Sequence, residues 1–157
     1  MVNGEENQNT ENMTEFVEEI NGVKYYLHRI SGEPSRTLDT YNSFNQRVVL
    51  ILAGYDENIP SDLLGETIIQ KARHLILPGQ ASSRTEMAVM RKMAGKYRDI
   101  DLRITKCNTL QQAVDCAFLS AKPGETVVLS CTEAGFDGFD SFDKVKNAYR
   151  EYVHGLQ

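Results

Sequence analysis

The chain has 157 residues, of which 41% are hydrophobic and 25% charged, and its formal net charge is −5. This length suits one domain that buries roughly 70% of the surface exposed by the unfolded chain. The acidic balance argues against a nucleic-acid binder, and no apolar run approaches the ~20 residues that a membrane-spanning helix needs. We therefore expect a cytoplasmic globular protein that binds neither nucleic acid nor membrane.

The N-terminal segment differs in composition from the rest of the chain. Residues 1–14 are rich in Asn, Glu and Gln and lack apolar periodicity, so they predict a disordered tail before a folded domain at 15–157. Residues 16–20 and 23–27 then predict two strands joined by Asn21-Gly22. This dipeptide favours a type I′ turn, so the domain should begin with a β-hairpin.

Strands and helices alternate through the remainder of the chain. The predicted strands are residues 47–53, 74–77, 102–105 and 126–129, and the predicted helices are 35–44, 61–72, 83–95, 110–121 and 141–156. This alternation is typical of βαβ units and predicts a Rossmann-like three-layer α/β sandwich with a mostly parallel sheet of about six strands. The hairpin should add an antiparallel strand at one edge. The alternating polarity of residues 102–105 places that strand nearer an edge.

Helix starts and cysteines add local detail. Ser61-Asp62, a capping box of Ser83 with Glu86, and Thr109 are candidate N-terminal caps. The three cysteines have no CxxC spacing, which favours reduced, mostly buried thiols over a disulfide framework or zinc site.

Several catalytic signatures are absent from the sequence. There is no GxGxxG after a strand, no GxxxxGK[ST], no GxSxG and no HExxH, and the three histidines are scattered. A receiver-like domain would also need clustered acidic residues at the ends of its first strands, which we do not find. The sequence therefore disfavours an independent nucleotide-hydrolysing enzyme and predicts no metal site and no catalytic residue.

The most distinctive stretch is residues 122–142, KPGETVVLSCTEAGFDGFDSF. It combines a Pro-Gly turn, an apolar run typical of a strand buried on both faces, and a loop rich in Gly and Phe. In parallel α/β sheets ligands bind beyond the carboxyl ends of the strands, where this loop would lie. The loop is therefore a candidate ligand-binding segment.

This stretch resembles the end of the third domain of Mur ligases, especially the D-glutamate-adding members. The shared frame is Lys122-Pro123-Gly124-Glu125, Ser130, Phe136-Asp137, Phe139 and Phe142. Further similar segments occur in the family's order: Glu15-Phe16-Val17, Asn21 to Tyr26, the run RVVLILAGYDEN at 47–58, and Leu110 to Val114. The resemblance thus covers nearly the whole chain from Phe16 onward.

The resemblance implies a function that needs further domains. The family uses ATP and Mg²⁺ to join an amino acid to a UDP-linked muramoyl precursor, and its third domain brings in the amino acid and closes the site. ATP binds mainly on a central domain. We expect the UDP-binding and central ATPase domains as partners and D-glutamate as a candidate ligand. The 157-residue chain should bind no cofactor alone and be inactive alone.

The resemblance also implies a set of substrate-binding residues and several departures from the family pattern. The implied residues are Gly54, Asp56, Ser130, Gly135, Phe136, Asp137 and Phe142. Glu57 stands where the family has a lysine for the substrate carboxylate, and Gly135 stands in place of a serine. Where the family has Asp-Ser-Lys-Ala-Thr-Asn, this chain has HRISGE at 28–33. His28 and Arg29 are candidate replacement anion contacts.

Two functions remain open on this reading. The chain is either the third domain of a divergent ligase or a non-catalytic binding module that kept the fold and lost the substrate residues. The structural interpretation of the same residues is that Phe136, Phe139 and Phe142 cover the core at the sheet end. Likewise, Gly54 would serve a tight turn and Asp56 would cap a loop.

Overall fold

The computed structural model describes residues 14–30, 33–54, 59–79, 82–132, 136 and 138–156. Its strands are β1 (Thr14–Ile20), β2 (Val23–Ile30), β3 (Val48–Ala53), β4 (Ala72–Pro78), β5 (Arg103–Cys107) and β6 (Thr126–Thr132). Its helices are α1 (Pro34–Asn42), α2 (Ser61–Lys71), α3 (Ser82–Met93), α4 (Leu110–Ser120) and α5 (Phe142–His154). These elements match the predicted alternation, with bounds that shift by a few residues.

The strands form one six-stranded sheet in the order β1-β2-β6-β3-β4-β5. β1 pairs with β2 in the antiparallel direction, and every other neighbouring pair is parallel. The hairpin therefore supplies one edge of the sheet and β5 supplies the other. Both predicted placements are confirmed.

Helices cover the sheet on both faces. One core contains side chains of α4 and α5, such as Val114 and Tyr149, and the other contains side chains of α1 and α2, such as Tyr41 and Ile68. All six residues of β3 are buried, as expected for a central strand under helices. The three-layer sandwich is confirmed. Within the described residues, no helix is both long enough and apolar enough to cross a bilayer.

Local turn and capping signals explain several element boundaries. Asn21 and Gly22 have φ values of 54° and 82°, the positive pair that a type I′ turn requires. The Thr109 hydroxyl accepts a hydrogen bond from the Gln112 amide, which confirms the predicted cap of α4. The prediction for Ser61 was wrong: it is the first residue of α2 and the cap position is Pro60, without a side-chain cap.

Two further sequence predictions differ from the structure by one or a few residues. The capping box at Ser83 is displaced, because α3 already includes Ser82 and the Glu86 carboxylate pairs with Lys106 at 3.2 Å. Residues 1–13 lie outside the described residues, and Thr14 already belongs to β1, one residue before the expected domain boundary. None of the three cysteines, which all lie in the described part of the chain, forms a disulfide; Cys131 is buried and the other two are partly exposed.

Candidate functional site

The candidate site lies where the parallel strands end, at the border of the sheet formed by their carboxyl ends. We call this border the carboxyl edge. Because β2, β6 and β3 run in the same direction, their last residues Ile30, Thr132 and Ala53 meet at this edge. The predicted residues that the structure places here are His28, Arg29, Gly54, Ser130, Phe136 and Phe142. Asp56, Glu57, Gly135 and Asp137 lie outside the described residues, so their placement stays a prediction.

His28 and Ser130 form a hydrogen-bonded pair inside the domain. They are register partners on β2 and β6, and His28 Nδ1 lies 2.7 Å from Ser130 Oγ. The Tyr41 ring meets the imidazole edge-on at 5.5 Å, and both members of the pair are at most 1% exposed. Burial lowers the pKa of His28 to about 4, so the imidazole is neutral at pH 7. In this arrangement His28 carries no charge for an anion and Ser130 is not open to solvent.

Arg29 lies on the opposite face of β2 and remains accessible. Its guanidinium carbon lies 4.5 Å from the centroid of the Phe142 ring, and Nη2 lies 4.0 Å from Asp143 Oδ1. The Arg29 side chain is 33% exposed, and Asp143 is 81% exposed. A guanidinium on an aromatic face is held in orientation while its edge can still donate hydrogen bonds. Of the two candidate anion contacts, Arg29 is therefore the one with a charged side chain that is partly exposed to solvent.

The first turn of α5 adds to the field around Arg29. The helix begins at Phe142, and the Ser141 hydroxyl accepts a hydrogen bond from the Lys144 amide. Arg29 contacts Phe142 and Asp143 of this turn, so the positive end of the helix dipole lies beside the guanidinium and both favour a nearby anion. Asp140 and Asp143 oppose this field, although Asp140 is paired with Lys144 at 3.1 Å.

The phenylalanines of the distinctive stretch pack as the structural interpretation predicted. Phe142 is 4% exposed and belongs to the core, while Phe136 and Phe139 are partly buried against it. The Phe136 and Phe139 ring centroids are 6.0 Å apart, and the Phe139 amide donates to the Phe136 carbonyl at 2.9 Å. These contacts form a compact turn that caps the sheet end. Phe142 has a second role beneath Arg29.

The two ends of that stretch lie at opposite ends of β6, which runs between them. Glu125 accepts a hydrogen bond from its own turn, at Lys122 N (2.8 Å), and binds Arg73 through both carboxylate oxygens at 2.8 and 3.0 Å. The Arg73 guanidinium also donates to the Ser120 carbonyl at 3.3 Å. The Lys-Pro-Gly-Glu turn thus has a structural role far from the candidate site, and spacing alone gave no signal for its arginine partner.

A groove of about 420 Å³ lies between α4 and the edge strand β5, away from the predicted residues. His74 forms part of its lining, and the ring nitrogens lie 2.8 Å from the hydroxyls of Ser120 and Thr105. Burial, and then the charges of Arg103 and Arg73, lower the pKa of His74 to about 4. A neutral histidine satisfied on both sides is a structural group, and we assign the groove no ligand.

The described residues do not form a metal-binding set. Nowhere in the described ranges do three or more His, Cys, Asp or Glu side chains converge on one point. The donor set that Mg²⁺ prefers, several carboxylate oxygens in octahedral geometry, is therefore not supplied by this part of the chain.

Comparison with known proteins gives the family. No protein-family model matches the chain. The chain is 38% identical over 147 residues to the UDP-N-acetylmuramoylalanine–D-glutamate ligase of Acetivibrio thermocellus, and 36% identical to the ligase of the same name from Ruminiclostridium cellulolyticum. Each match covers 94% of this chain. The chain is a homologue of the C-terminal region of Mur ligases. The match lies in the C-terminal region of the ligases and spans only 32% of their length.

Solved Mur ligase structures share the fold. A murein peptide ligase from Psychrobacter arcticus 273-4 matches 94% of this chain with a TM-score of 0.64 at 13% identity, over 30% of its own length. A UDP-N-acetylmuramoyl-L-alanyl-D-glutamate–2,6-diaminopimelate ligase matches 92% of this chain, with a TM-score of 0.57 at 13% identity, over 32% of its own length. A separate domain structure from Haemophilus ducreyi 35000HP is matched over 98% of its length, with a TM-score of 0.56. The fold of this chain therefore also exists as a crystallised single domain.

Proposed function

We propose that this chain acts as the C-terminal, amino-acid-receiving domain of a divergent ATP-dependent ligase of peptidoglycan precursor synthesis, in the cytoplasm. The observation that carries the proposal is the 38% identity to a D-glutamate-adding ligase across 94% of the chain. Since the match spans about a third of that ligase, these 157 residues would act together with UDP-binding and ATPase domains and would ligate nothing by themselves. ATP and Mg²⁺ would be held mainly by those partners, with this domain closing over them.

Arg29 is the residue that we expect to contact the substrate. The family lysine for a substrate carboxylate is matched here by Glu57, so a positive charge must come from another position. Arg29 stands at the carboxyl edge of the sheet, stacked on Phe142 and beside the first turn of α5. Its planar guanidinium can bind a carboxylate through two hydrogen bonds. We therefore assign Arg29 the contact to a carboxylate of the incoming amino acid, with D-glutamate as the first candidate.

A domain exchange tests this proposal directly. Residues 14–157 would replace the matching C-terminal region of the Acetivibrio thermocellus ligase, and D-glutamate-dependent ADP release would be measured. We expect turnover by the chimera and none by the 157-residue chain. Arg29→Ala should raise the KM for D-glutamate at least tenfold, as expected from losing a charged contact worth about 1.5 kcal/mol or more. The matched control is Arg91→Ala, on the exposed side of α3.

A second candidate function is a non-catalytic binding module, and one specific observation favours it. His28 and Ser130, two of the candidate ligand contacts, bind each other in the interior, where both side chains are shielded from solvent. On this alternative the chimera would fold, with a cooperative unfolding transition, yet release no ADP with D-glutamate or other amino acids. Turnover that depends on Arg29 would exclude the module.

A further inference from the structure

A small enclosed cavity lies beneath the candidate site, on the face of the sheet covered by α1, α2 and α3. It has room of about 10 Å³ for the centre of a water molecule, which corresponds to about one water. Its lining combines apolar side chains with three hydroxyl groups: Leu52, Ile59 and Leu64 are apolar, and Thr37, Tyr41 and Thr85 carry the hydroxyls. A purely apolar cavity of this size would stay dry, and most of this wall is apolar, so a water molecule here would depend on those hydroxyl groups.

Thr37 is the residue that makes the cavity informative. The side chain is 1% exposed, and among the described residues its Oγ1 has no hydrogen-bond partner. Three residues later on α1, the equally buried Thr40 donates its hydroxyl to the Arg36 carbonyl at 3.0 Å. The helix can therefore satisfy a threonine internally, and Thr37 does not use that option. A buried hydroxyl that faces a cavity without a protein partner points to a bound polar molecule.

We propose that this cavity is a binding site for one ordered water molecule, held by the Thr37 hydroxyl. Thr85 on α3 and Tyr41 on α1 also line the cavity, so the water has the two or more polar neighbours that a buried water requires. The water links the start of α1 to α3 beneath Gly54, the residue that follows β3 and has a φ of 90°. The role of this water is to support the sheet edge at the candidate site, and it does not depend on which function the domain has.

The test uses the full chain, labelled with ¹³C and ¹⁵N, and magnetisation transfer from water to threonine methyl groups. We expect cross-peaks to the Thr37 and Thr85 methyls with the sign of a water bound for longer than about a nanosecond. Thr37→Val keeps the shape and removes the hydroxyl, so it should abolish both water contacts. Thr40→Val is the control, because it removes a buried hydroxyl on the same helix without touching the cavity, and it should retain them.

Xenon and urea provide independent readouts. A hydrated site should give no xenon-induced shifts at Leu52 and Leu64, whereas shifts there in the wild type would show a dry cavity and overturn the proposal. Thr37→Val should lower the urea midpoint or leave it unchanged. A higher midpoint would mean that the wild-type hydroxyl is unsatisfied rather than hydrated, and would also overturn it. Water contacts that persist at Thr85 in Thr37→Val would remove Thr37 as the ligand.

Discussion

Replacing Gly65 by alanine probes how closely α2 and α3 approach. Gly65 is buried in α2, and a Cβ built there would lie 2.6 Å from the carbonyl oxygen and 3.0 Å from the carbonyl carbon of Ala88 on α3. The first distance is about 0.8 Å shorter than the 3.4 Å at which ordinary contact begins. The opposing atoms belong to the helical backbone, so no side-chain rotation can relieve the clash. One of the two helices must move.

The expected magnitude follows from two opposing effects. Alanine is favoured over glycine in a helix by about 1 kcal/mol. Overpacking costs about 1–3 kcal/mol, and a backbone clash belongs at the upper end of that range. We therefore expect Gly65→Ala to lower the free energy of unfolding by about 2 kcal/mol, which corresponds to a decrease in Tm of roughly 4–8 °C.

Urea and thermal denaturation, monitored by circular dichroism, would measure this loss. Gly95→Ala is the matched control, because a Cβ at Gly95 has no neighbouring atom within 4 Å. Its Tm should stay within about 2 °C of the wild type. If Gly65→Ala were as stable as the wild type or more stable, helix propensity would dominate, and the inferred close approach of the two helices would be refuted.

Three further predictions concern a partly buried ion pair, pH and capping. Glu125→Gln should cost about 1 kcal/mol of unfolding free energy in urea titrations, because it weakens the two-oxygen contact with Arg73; an unchanged midpoint would contradict this role. Burial lowers the pKa values of His28 and His74 to about 4, so the unfolded chain binds protons more readily than the folded chain. The unfolding free energy should therefore be greatest above pH 6.5 and fall as the pH drops from 6.5 to 4. The loss should reach at most about 3 kcal/mol per histidine, and His28→Asn, measured at several pH values, should show a shallower decline than the wild type. Thr109→Ala should cost about 1 kcal/mol through loss of the α4 cap, and Thr109→Ser should restore most of it in the same thermal-melt assay.

The fold was predictable because its signals are local. The type I′ turn at Asn21-Gly22 follows from the positive φ that these residues tolerate, and the buried strand at β3 follows from an unbroken apolar run. The Thr109 cap is likewise a short-range hydrogen bond. The cap expected at Ser61 failed because Pro60 already begins the turn, a choice between adjacent positions that sequence pattern does not resolve.

The candidate site was predictable only in outline. The resemblance gave His28 and Arg29 as candidate anion contacts and did not distinguish between them. Alternation along β2 sends their side chains to opposite faces, so one binds Ser130 in the core and the other stacks on Phe142. The difference in burial then separates a neutral imidazole from an accessible guanidinium.

The sequence by itself determined the order of the elements, the parallel sheet and the family likeness, because periodicity and turn chemistry act over a few residues. Only the tertiary structure decided which polar groups are satisfied internally. The contact of Glu125 with Arg73, the pairing of His28 with Ser130 and the cavity beside Thr37 each join residues from different elements of the fold. Hydrogen bonding and desolvation depend on those three-dimensional neighbours, so they decide the chemistry at the sheet edge that the sequence could only locate.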